Sequence, residues 1–341
     1  MTTTTNTTSC QLSTKDRVIK GMLDTKELSF VNHVMATYDF SNAGRWSTLE
    51  TRITSDLDAT LKPNCNLVTL EKIIDRVISS ADHTYRIIKL TPASAAAIRN
   101  AISSIDMANH SSMYQSFYPM KIEFSPGASY SEGEKLCKVA DLGDGYACIF
   151  SSVFKELKRG HIAPTYEQHF HTVFVPKSSD RIELRISNSL SPTMILSSFF
   201  RLEQEFINVI NISGTHLPTF VPLNIYDSIE SLFNDVDEGR VQFAMMTTSE
   251  DGDDADLNGR NRKNYCARKV DVSDSINNHE YICRGLRIRY AYSTDDNTET
   301  ELSVMPHKRD WTDRNCFQFS IKHPKDSFVQ SEMVNKIINR S

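Results

Sequence analysis

At 341 residues, 39% of them hydrophobic and 24% charged, the chain has the composition of a globular protein with an ordinary core and the length of about two domains. A net charge of −5 excludes generalised affinity for polyanions, so any nucleic-acid surface has to be a local patch. The 7 cysteines are scattered and never form a C-x-x-C pair, which argues against a disulfide framework or zinc ribbon and for free thiols in the reducing cytoplasm.

The opening MTTTTNTTSC lacks the basic start and apolar run of a secretory leader, and no run approaches the roughly 18 apolar residues of a membrane span. Residues 1–13 have little to bury and read as a disordered tail. Lys15 to Phe40 carries a mixed helical pattern, weakened at Gly21 and ended by the Ser/Asn/Gly cluster at 41–44. Leu49, Ile53, Leu57 and Leu61 recur every four residues before Pro63, which predicts a short amphipathic helix. Leu70, Ile73, Ile74, Val77 and Ile78 form the stripe of a second helix over 67–80. A β-branched strand follows at 85–90, and Thr91-Pro92 then opens an alanine-rich helix with good capping chemistry.

Beyond the polar stretch at 109–112 the pattern turns to strands. Phe117–Phe124 alternates and ends at the turn Ser125-Pro126-Gly127. Residues 136–142 and 145–151 flank Gly143-Asp144-Gly145 as a hairpin, and 168–175 with 181–187 form another. In the last strand Ile182, Leu184 and Ile186 face one way, and Arg181, Glu183 and Arg185 the other. This hairpin runs into the clearest element of the chain, a helix at about 192–211 with Ser191 as N-cap, Pro192 at its first position and Gly214 beyond its end. Ile195, Phe199, Leu202, Phe206 and Val209 mark its apolar face, which Leu196, Phe200, Ile207 and Ile210 widen to about half the cylinder. Glu203 falls inside that arc and should be paired, with Arg181 or Arg185 as the expected partner. Further on, a short helix is expected at 226–236 and a strand at 241–247. A charged loop follows at 249–264, then strands near 265–272, 280–292 and 315–322, and a helix at 327–338.

The fold class that follows is α+β. A disordered tail (1–13) and a mainly helical N-terminal region (14–110) precede an α+β middle (111–213) built on a β-β-α unit at 168–211. A mainly β region (214–341) with a mixed or antiparallel sheet completes the chain.

The strongest functional signal is a charge reversal. From Asp227 to Asp256 ten acidic residues face one basic residue, Arg240. From Arg260 to Arg289 eight basic residues (Arg260, Arg262, Lys263, Arg268, Lys269, Arg284, Arg287 and Arg289) face three acidic ones. Arginines and lysines on one strand face, with Tyr265, Tyr281 and Trp311 near in sequence, suit phosphates and stacked bases, and the acidic run would mask them. The plainer alternative is a solvated charged loop beside an ordinary polar sheet face. Asp254, Asp256, Asn258 and Gly259 match the opening of a calcium loop, but its twelfth position is Tyr265 and not the required Glu, so an Asx-rich turn is expected. His169 and His171 project from one strand face and could hold a divalent metal with Glu203 as a third ligand. Asp144 with Glu156-Leu157-Lys158 spells a nuclease-like D…E-x-K, although VFKELKRG reads better as a helix. P-loop, dinucleotide, zincin and nucleophile-elbow motifs are absent. The leading expectation is a non-catalytic cytoplasmic protein that binds nucleic acid through its 260–289 basic surface. A metal-dependent hydrolase built on His169 and His171, or a protein–protein interaction scaffold, are the alternatives.

Overall fold

A computed structural model describes residues 12–25, 27–125, 128–156, 165–212, 219–248, 254–259, 265–269, 281–292 and 299–341. Residues 1–11 of the expected tail (1–13), the turn at Pro126-Gly127 and most of the charged loop therefore lie outside the described residues. The chain divides into two compact units, Met1–Ala81 with Lys89–Phe220, and Asp82–Ile88 with Val221–Ser341.

Helices α1 (Thr14–Thr25), α2 (Leu28–Ala36), α3 (Trp46–Leu57) and α4 (Leu67–Ser80) open the first unit. Asn66 caps α4 by accepting from the Thr69 backbone N–H, and Leu70, Ile73, Ile74 and Val77 are buried along its inner face. Each such side chain contributes about 1.5–3 kcal/mol of transfer free energy, which holds the helix in place better than its propensity does. Strand β1 (His83–Lys89) follows, then α5 (Pro92–Ser103), whose N-cap Thr91 accepts from Ser94 N–H, and the short α6 (Met113–Phe117).

Residues 118–124, expected as a strand, are irregular. Pro119 has no N–H, and the amides of Lys121 and Ile122 donate to the side chains of Asp24 and Gln168, so no ladder partner is needed. Strands β2 (Gly133–Asp141), β3 (Gly145–Glu156), β4 (Thr165–Pro176) and β5 (Arg181–Ser187) then pair antiparallel in chain order. Gly143, at φ +90°, makes the expected β2–β3 turn. Asp144 in that turn is held by both terminal nitrogens of Arg76, and Glu156 ends a strand and not a helix, while Leu157 and Lys158 of the nuclease-like letters lie outside the described residues. Cross-strand pairing from Gly145↔Pro176 to Glu156↔Thr165 overrides the local helical preference of the last β3 residues.

Helices α1–α4 cover the sheet face that carries Ala147, Ile149, Val153 and Phe174. Helix α7 (Pro192–Ile212) lies over the other face, where Arg201 meets Glu134 of β2. Its buried arc is narrower than the sequence implies. Phe199, Leu202, Phe206, Val209 and Ile210 are buried, but Leu196 and Phe200 are exposed, so the apolar arc spans about 100° of the wheel and Glu203 sits half-buried at its margin.

In the second unit α8 (Tyr226–Asn234) precedes β6 (Arg240–Thr248), β7 (Asp254–Asn258), β8 (Tyr281–Ala291), β9 (Glu299–Val304), α9 (Lys308–Thr312), β10 (Phe319–Lys322) and α10 (Ser327–Ile338). The strand order is β1-β10-β9-β8-β6-β7, antiparallel throughout. Ile229, Leu232, Met333, Val334 and Ile337 of α8 and α10 pack on the face formed by Val241, Leu286, Ile288, Leu302, Phe319 and Ile321. Three expectations change here. Residues 254–258, assigned to the charged loop and its Asx turn, pair along β6 as β7, because an open strand edge offers backbone partners that a turn cannot. Ala267–Lys269 is a single 3₁₀ turn and not a strand, and the polar β9 went unanticipated.

Candidate nucleic-acid interface

The outer face of the second unit's sheet carries two rows of residues in register. One runs Arg240, Arg289, Glu301, Lys322 across β6, β8, β9 and β10. The next runs Phe243, Arg287, Ser303, Ser320, Thr84 and ends on β1. Alternation along β8 explains half of this, since Leu286, Ile288 and Tyr290 are buried while Arg287 is exposed and Arg289 half-buried.

Phe243 reaches the outer face through a bulge. Val241 pairs with Ile288 but Phe243 pairs with Arg287, so Gln242 is the extra residue and every later β6 side chain changes face. Strict alternation from Val241 would bury Phe243. The bulge instead sets its ring beneath the Arg287 guanidinium, 5.3 Å from the centroid. No local signal at Gln242 announces this.

Arg240 and Arg289, directly opposed, would repel each other without the carboxylates of β9. Arg240 Nη2 donates to Glu299 at 2.6 Å, and Arg289 lies 3.6 Å from Glu299 and 3.3 Å from Glu301. Arg240, Arg287, Arg289 and Lys322 on these rows still outnumber Glu301 among them and Glu299 beside them, a local positive excess in a chain of net charge −5.

The expected basic set does not stay together. Arg260, Arg262 and Lys263 lie outside the described residues. Arg268 is a structural clamp. Its guanidinium donates to the carbonyls of Leu232, Phe233, Glu238 and Gly239, closing the end of α8 onto the start of β6. The neighbouring Ala267 is packed in the core formed with α8, so this turn lies on the inner side of the sheet while Arg287 and Arg289 lie on the outer. Lys269 is exposed on the same turn. Arg284 approaches Asp254 of the acidic run at 3.4 Å, and Asp254 also meets Lys308 at 3.3 Å. With Asp254, Asp256 and Asn258 extended along β7, the calcium-like letters do not form a loop around a cation.

His169 and His171 share the face of β4 beneath α7, but their ligand atoms and a carboxylate oxygen of Glu203 do not converge within 4.8 Å. His169 is committed elsewhere. Its Nδ1 lies 2.7 Å from Ser189 Oγ, its ring stacks on Phe154, and burial pushes its pKa down to about 4. His171 is fully buried, with Ser187 N–H donating to its Nδ1. Arg181 and Arg185, the expected partners of Glu203, direct their guanidinium groups to Glu183 of their own strand at 2.7 and 2.6 Å. They do so on the side of β5 that meets α4, where Arg185 also donates to Ser79 O and covers the Phe174 ring. Between β2 and β4, beneath α7, the register aligns Glu134, Ser152 and His169 in a buried polar row that the sequence did not reveal.

No known protein-family model matches this chain, and no curated protein matches its sequence.

Proposed function

We propose that this chain is a non-catalytic binding protein of the cytoplasm that holds single-stranded nucleic acid on the outer sheet face of its second unit. The observation that carries the reading is the exposed Arg287 guanidinium lying over the Phe243 ring, in a row that continues through Ser303, Ser320 and Thr84, of which Ser320 is the half-exposed hydroxyl. An aromatic–guanidinium platform takes the π-face of any base, and Ser320 and the cations beside it take phosphate oxygens. The ligand contacts on this reading are Arg287, Phe243 and Arg289, while Arg268 serves the fold and Lys269 sits with it on the inner side of the sheet. A reducing setting is supported by Cys65, Cys137, Cys148, Cys266, Cys283 and Cys316, all free thiols. Among the described residues no helix is long and apolar enough to cross a membrane.

Fluorescence anisotropy of a labelled single-stranded oligonucleotide tests the proposal. Affinity should fall with rising salt on a log–log slope of about −1.4 to −2.1, as two or three phosphate contacts require. Phe243→Ala should cost about 1–3 kcal/mol of binding, and Arg287→Glu at least as much. Undetectable binding at low salt, or parental affinity in both variants, would overturn it.

A further inference from the structure

The first unit contains a cleft of about 220 Å³ between α1, α4, α6 and β2, lined among others by Thr14, Arg17, Glu71, Asp75, Tyr118 and Lys138. Asp75 is buried, and its Oδ1 accepts from the Tyr118 hydroxyl at 2.7 Å. Its Oδ2 lies 3.9 Å from Lys138 Nζ, beyond hydrogen-bond reach, so both groups keep capacity for another partner. Lys138 faces Asp75 because of a β-bulge. Leu136 pairs with Phe150 and Lys138 with Ile149, so Cys137 is the extra residue and Lys138 moves from the α7 side of the sheet to the α4 side. On the α1 wall, Arg17 Nη2 donates to Tyr118 O, while its Nε is shielded from solvent and has no hydrogen-bond partner. Glu71, one turn before Asp75 on α4, adds a second carboxylate.

Opposite charges therefore line one small cleft, and the one ion pair between them, Lys138 with Asp75, is long at 3.9 Å and leaves hydrogen-bonding capacity on both groups. An anion alone would face Asp75 and Glu71 uncompensated, and a cation alone would face Arg17 and Lys138. The volume lies below the roughly 300–1,000 Å³ of sites for drug-sized ligands. We propose that the cleft binds a small zwitterion of amino-acid size, with its carboxylate on Arg17 and Lys138 and its ammonium on Asp75 and Glu71. Charge-assisted hydrogen bonds to both ends would make recognition depend on both charges together.

The test is titration of the full chain with each of the twenty free L-amino acids, followed by ligand-observed NMR and calorimetry. At least one should bind saturably in the millimolar range or tighter. Its N-acetyl and methyl-ester forms should each bind at least tenfold more weakly. Lys138→Met, at a side chain about one-third exposed and so of little risk to folding, should lose at least tenfold, with Asp75→Asn as a second variant checked by thermal unfolding. Absence of saturable binding by all twenty would overturn the proposal. So would equal binding of the acetylated or esterified forms, or parental affinity in the folded Lys138→Met chain.

Discussion

Burial beneath α7 pushes the Glu134 carboxyl up to about 7, and the Ser152 hydroxyl and Arg201, which lies 3.4 Å from Glu134 Oε1, offset only part of that cost. Its ordinary value is 4.5, so the folded chain holds a proton that the unfolded chain releases between pH 4.5 and about 7. The stabilising contribution is complete below pH 4.5 and is lost as pH rises through about 7, a change on the order of 3 kcal/mol. Asp75, raised by burial to about 6, acts in the same direction. His169, lowered by burial to about 4 from 6.5, acts in the opposite one, and its contribution fades as pH falls from 6.5 toward 4. Glu134→Gln removes the charge that becomes costly in alkali. The urea midpoint of the variant should exceed the parent's by about 1–3 kcal/mol equivalent at pH 8 and by little at pH 5. A difference independent of pH would contradict this account. None of these three environments was legible in sequence, because each depends on which layer closes over the residue.

At the scale of elements, the termini of helices were the most legible features. Thr91-Pro92, Asn66 and Asp326 cap α5, α4 and α10 as their side-chain chemistry dictates, and the bounds of α4 and α10 coincide with those read from periodicity. Strand faces were less so. Single extra residues at Gln242 and Cys137 exchange the two sides of β6 and β2, and with them Phe243 and Lys138, the side chains that define both proposed sites. Arg268 shows the converse, a basic residue that composition assigned to a ligand and packing assigned to the end of α8. Arg268→Lys keeps the charge but cannot span four carbonyl acceptors. It should lower stability by about 2–4 kcal/mol in urea unfolding while leaving oligonucleotide affinity within twofold of the parent. Loss of affinity without loss of stability would return Arg268 to the binding surface.

At the scale of the whole molecule, the second unit is assembled from two distant pieces of chain. Strand β1 closes its sheet, with Tyr85 stacked on Phe319 at 5.2 Å, Ile87 O accepting from Leu223 N–H, and the Tyr85 hydroxyl accepting from Gln330. A fragment of residues 221–341 lacks all three contacts and leaves the β10 edge open. It should show no cooperative thermal transition by circular dichroism, and a sharp transition near that of the full chain would refute the requirement for β1. What the sequence determined by itself is local and periodic: the α+β class, the helices at 67–80 and 327–338, the start of the helix opened by Thr91-Pro92, and the two hairpins before α7. These follow from side-chain spacing and capping, which act over a few residues and need no knowledge of the neighbours. Tertiary structure alone decided that β1 pairs with β10, that β7 is recruited from a charged stretch, and that Glu183 holds Arg181 and Arg185 on the α4 side. Open strand edges and buried charges take whatever partner the fold delivers, and that partner lies 2 residues away for Glu183 and Arg185 but 245 for Gln330 and Tyr85.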